Sequence, residues 1–214
     1  MLRGECTPHG AGIRLSGDFY DFHRLHETIH YLVGEDYDMQ EFVLGLAYEV
    51  RKAKSGRREI VMKGSDDEPS TYYSVDILWP EFLAQVSMLR NLAAYKATDS
   101  AIQSDLYRLE ACIENALDEH DANISKKVMG WVKEFGFVSK DYLTEFVFMK
   151  CREFVFSGTT LKARLKKLPS ILSSLFPQGV DYKAFENELQ ELATAQNSHP
   201  QDFHDWTEWP KFKW

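Results

Sequence analysis

Apolar residues recur along this chain with two periods, and the switches between them divide it into elements. Ile13 and Leu15 alternate between Gly12 and Gly17, the pattern of a short strand. Asp18 stands where a helix N-cap belongs, and Phe19, Phe22, Leu25, Ile29, Leu32 and Val33 follow at helical spacing up to Gly34. Beyond EDYD, the residues Met39, Phe42, Val43, Leu46, Ala47, Val50 and Ala53 predict a second helix, stopped by Gly56. Residues 58–64 and 72–79, joined by the polar run SDDEPS, predict an antiparallel hairpin. Pro80 then opens a helix carrying Phe82, Leu83, Val86, Leu89 and Ala93. A strand that runs straight into a helix is the piece around which the rest can assemble.

After a linker at 98–100, Ile102, Leu106, Leu109, Ile113 and Leu117 mark the next helix. Ile124, Val128, Trp131 and Phe135 form another stripe before Gly136. Residues 141–157 are so densely apolar that a core helix and a strand both stay open. Leu161, Leu165, Leu168, Leu172 and Leu175 predict a helix interrupted at Pro169, and Asp181 is the expected cap of a last helix with Tyr182, Phe185, Leu189 and Leu192. This order predicts an α+β fold. A small, mostly antiparallel sheet of about three strands is covered by helices over residues 1–120, and an all-helical region with an aromatic tail, 121–214, packs with it as one unit.

Composition narrows the function classes. At 44% hydrophobic residues the 214-residue chain can bury a full core without a metal or disulfide. A net charge of −8 argues against general binding to nucleic acid or anionic membranes, which need a positive footprint. Cys6, Cys112 and Cys151 are few and far apart, which suits reduced thiols. With no apolar leader and no run of membrane-spanning length, the expected compartment is the cytoplasm.

One motif carries chemistry. His26-Glu27-Thr28-Ile29-His30 is an HExxH sequence, in which two histidines four apart on one helix face can reach a Zn²⁺ while the glutamate acts on bound water. With Glu49 downstream on the second helix and Gly34 four beyond His30, it resembles the zinc signature of the gluzincin aminopeptidases. That resemblance implies zinc held by His26, His30 and Glu49, with Glu27 as general base. Glu49 lacks the Asn-Glu-Gly surroundings of that family. The same histidines also fit a purely amphipathic border: His26, His30 and His23 fall about 40°, 80° and 100° from Phe22 on a helical wheel.

A second resemblance covers about residues 1–120. Ser16-Gly17-Asp18, Tyr48-Glu49-Val50-Arg51, the turn from Gly56 to Glu59, and Ile77-Leu78-Trp79-Pro80-Glu81 resemble an uncharacterised bacterial domain family without an assigned activity. It implies the α+β fold and no chemistry. Basic clusters at 51–58 and 161–167 read as solvated helix ends, with a local anion or partner site as the alternative.

The tail holds Trp206, Trp209 and Trp214, which either pack on the parent domain or form a docking segment for a protein partner. The expected function is therefore non-catalytic binding, as in an immunity or accessory factor, with no cofactor and with homo-oligomerisation open. The alternative is a zinc-dependent peptidase built on HETIH and Glu49.

Overall fold

The structure is a computed structural model and describes residues 1–34, 40–63, 70–135, 142–176, 178–200, 209 and 211–214. Its sheet has four antiparallel strands: β1 (Arg3–Cys6), β2 (Gly12–Gly17), β3 (Glu59–Lys63) and β4 (Ser70–Leu78), in the order β1-β2-β4-β3. β1 is one strand more than periodicity predicts, because RGEC has no alternating apolar pair and stays half-exposed throughout. Thr7 to Gly12 turn β1 into β2. Gly10 takes φ +71°, a conformation that suits glycine, and the Thr7 amide donates to the Gly12 carbonyl at 2.9 Å.

Eight helices follow among the described residues: α1 (Phe19–Val33), α2 (Gln40–Lys54), α3 (Trp79–Ala93), α4 (Ser100–Asp118), α5 (Ala122–Glu134), α6 (Leu143–Phe156), α7 (Leu161–Ser174) and α8 (Val180–Gln196). Local chemistry explains most boundaries. Asp18 and Asp21 form a reciprocal capping box at the start of α1, and Gly34 ends it at φ +75°. Asp99, Asp121 and Thr160 cap α4, α5 and α7 through their side-chain oxygens.

α3 is the hub. Eleven of its fifteen residues are buried, which leaves it no solvent face and accounts for its weak amphipathic pattern. It touches α1, α2, α4, α5, α6 and α7 as well as β2 and β4. Trp79, read as the last strand residue, is instead the first residue of α3, its amide tied to the Ala11 carbonyl at 3.2 Å.

In the helical half one open reading resolves and two are corrected. The 141–157 run is helical from Leu143 onward. α7 runs through Pro169 unbroken; the stripe of Leu165, Leu168, Leu172 and Leu175, each buried, outweighs the roughly 3 kcal/mol that an interior proline costs. Asp181 does not cap α8, which starts from Gly179; its carboxylate reaches Lys150 Nζ at 3.2 Å. The EDYD break, Gly136 and most of the SDDEPS loop lie outside the described residues.

Candidate functional site

The HETIH histidines share one side of α1. Their rings are 4.4 Å apart, and His26 Nδ1 lies 3.3 Å from Glu27 Oε1. Between them Thr28 and Ile29 turn inward, and Thr28 Oγ1 donates to the buried Asp105 carboxylate at 2.8 Å, which also accepts from Arg24. Thr28 of the motif, with Arg24 before it, thus anchors α1 to α4. Lys54 Nζ approaches His23 Nδ1 at 3.3 Å, and burial, assisted by the charge of Lys54, lowers the proton affinity of His26.

Glu49 is not brought to these histidines. Arg58 grips its carboxylate with two bonds of 2.8 Å, since the Gly56 turn at φ +71° folds residue 58 back against the end of α2. Among the described residues, no group of three or more His, Cys, Asp or Glu side chains is arranged to hold a metal ion.

What Glu49 and Arg58 line instead is a cleft of about 440 Å³ between α2, α3 and the sheet. Its other charged walls are Glu59, Asp76 and Glu81, and Trp214 also lines it. The β2–β4 register places Arg14 opposite Asp76, and the guanidinium takes that carboxylate at 2.7 and 2.8 Å while reaching Glu59 at 3.1 Å. Three of the four carboxylates are therefore held by arginine.

Glu81 is the exception. Among the described residues its carboxylate has one hydrogen-bond partner, the Gln85 amide at 3.2 Å, and that amide also donates to the Phe42 carbonyl at 2.9 Å. Burial, reinforced by the negative charge of Glu49, pushes its carboxyl up to about 7. A group that binds its proton more tightly folded than unfolded stabilises the fold at low pH. That contribution is lost as pH rises from about 4.5 to about 7. Glu81→Gln is expected to flatten this decline and to raise stability at pH 8 by about 1–3 kcal/mol, read from urea unfolding at pH 5 and pH 8. Parallel pH profiles for the two proteins would contradict it.

The thiols take no visible part. Cys151 is fully buried and its thiol is pushed well above the usual range by burial and by the charge of Glu81, while Cys6 and Cys112 are pushed up to about 12, also by burial. All three are unbridged.

In the tail, Trp209 meets Phe148 and Phe212 edge-on or tilted at 6.5 Å, and Trp214 lies 5.1 Å from Phe212, which packs on the core. Trp209 and Trp214 are both partly exposed; Trp206 lies outside the described residues. Sequence reasoning missed Arg14, Asp76 and Glu81 as site residues. A signal for Glu81 was present: the motifs containing Glu49, Arg58-Glu59 and Ile77-Leu78-Glu81 are separate in the chain and converge on this one cleft.

Fold and cleft together define an α+β protein whose antiparallel sheet feeds a buried central helix. The chain belongs to the family described as Domain of unknown function (DUF6904), whose sequence model matches residues 2–214. The match extends the resemblance seen over residues 1–120 through the whole helical half. No curated protein and no solved structure matches the chain. No helix among the described residues is long and apolar enough to cross a membrane.

Proposed function

We propose that this protein is a non-catalytic binding protein that takes up an extended segment of a partner protein along β3 and into the adjoining cleft. One observation carries the reading: among the described residues β3 pairs only with β4, at the sheet's edge, and exposes Ile60 and Met62 to 51% and 60%. An open edge with apolar side chains at alternate positions is a template for strand addition, where main-chain bonds give affinity and the alternating side chains give specificity. Glu59 opens β3, Arg58 immediately precedes it, and both line the cleft, so edge and cleft adjoin. Four carboxylates and one arginine, Arg58, line the cleft together with an aromatic ring, and Arg14 pairs with two of those carboxylates from outside the lining. That balance favours a basic side chain where the segment passes Trp214.

A photo-crosslinking residue at position 62 tests this. Wild-type surroundings are expected to give one dominant crosslinked protein, and Ile60→Lys combined with Arg58→Glu is expected to abolish it while leaving circular dichroism unchanged. The same crosslinked species in both proteins would overturn the proposal. So would peptide hydrolysis by the purified chain that Glu27→Gln abolishes without unfolding it.

A further inference from the structure

A second pocket lies on another part of the molecule, where the β1–β2 turn, the α6–α7 connection and residues 211–213 meet. It encloses about 540 Å³. Its floor is Arg164, which is 2% exposed and donates to four main-chain carbonyls: Gly158 at 2.9 Å, His9 at 3.0 Å, Lys213 at 2.7 Å and Val155 at 3.1 Å. Removing a guanidinium from water costs several kcal/mol, and proteins ordinarily meet that cost with a carboxylate. Among the described residues no side-chain carboxylate pairs with Arg164, and none of the pocket's described lining residues is Asp or Glu.

The remaining polar wall is formed by the ammonium side chains of Lys211 and Lys213, the His9 imidazole and the hydroxyls of Thr159 and Thr160. His9 Nδ1 lies 3.3 Å from the Thr159 carbonyl, a contact that orients the ring. A cavity lined by Arg164, Lys211 and Lys213, with no Asp or Glu among its described lining residues, is out of character for a chain of net charge −8. The buried guanidinium uses carbonyl dipoles to hold its position, and no carboxylate side chain among the described residues neutralises it.

We propose that this pocket binds a small oxyanion group, a phosphate monoester or a carboxylate, held by Lys211 and Lys213 over the charge of Arg164. The two ammonium groups are the direct contacts, and Arg164 is a positioning residue that shapes the pocket and supplies field. The volume admits the anionic head with a small attached group beside Phe212.

The experiment titrates the full chain with phenyl phosphate and, separately, benzoate, with matched sodium chloride as the control. A ligand held in this pocket is expected to raise Tm by about 3–5 °C at ten times its Kd. The double variant Lys211→Glu/Lys213→Glu, whose altered side chains are exposed, is expected to keep its fold and to weaken binding roughly tenfold or more. Response to phenyl phosphate alone assigns a phosphate monoester, and response to benzoate assigns a carboxylate; either upholds the site. No response to both, or undiminished binding by the double variant, overturns it.

Discussion

Gly12→Ala is expected to leave the chain without a cooperative thermal transition. A β-carbon at position 12 would sit 2.0 Å from the Ile77 carbonyl oxygen, 2.7 Å from its carbon and 3.1 Å from the Leu78 α-carbon. Each of these atoms is backbone of β4, the strand to which β2 is hydrogen-bonded, so no rotamer change relieves the contact. The strands must separate at the point where β4 passes into α3, and the Gly12 amide must leave the Thr7 hydroxyl that accepts from it at 3.0 Å. Ordinary overpacking costs about 1–3 kcal/mol, and a clash with immovable backbone lies beyond that range. Near-ultraviolet circular dichroism during a melt reads the outcome. Gly130→Ala is the control, because a β-carbon there meets nothing within 4 Å on α5. It should gain about 0.5–1 kcal/mol from helix propensity. A Gly12→Ala protein melting within a few degrees of wild type would show that the β2–β4 approach is looser than described.

Arg164→Met keeps the volume and removes the donors. Four carbonyls from three separate stretches then lose their shared partner at once. Bonds from a charged donor contribute about 1.5–3 kcal/mol each but do not add, and methionine recovers some burial, so a net loss of about 4 kcal/mol is expected. For a chain of this length that corresponds to a fall in Tm of about 8–16 °C. Lysine at 164 should fall between, since three rotatable donors cannot reproduce the planar fork. A shift of less than 2 °C for Arg164→Met would mean that water replaces the guanidinium at little cost.

The helical stripes were readable because burial imposes a period. Phe22, Leu25, Ile29 and Leu32 are all buried on α1, and Leu106, Leu109, Ile113 and Leu117 on α4. β1 carries no such pattern, since its place depends on pairing with β2 and packing against α4. Pro169 shows the reverse error: a strong local rule lost to the tertiary packing of leucines on either side. The site was the least legible part. Glu49 was noticed for its spacing from His30, yet its partner is Arg58, nine residues on, brought back by a turn. Arg14 and Asp76 are 62 positions apart and Arg164 and His9 are 155 apart, and no periodicity links such pairs.

The contact between His9 and the last residues has a consequence for the order in which the protein takes shape. The His9 amide donates to the Trp214 carbonyl at 2.6 Å, and Arg164 bridges the His9 and Lys213 carbonyls. A ribosome delivers His9 long before Lys213 and Trp214, so the β1–β2 turn must wait, incompletely bonded, until those two residues have been made. The His9 amide is thereby a single-site clock for the final closure, and its hydrogen exchange would time that event apart from the folding of the core.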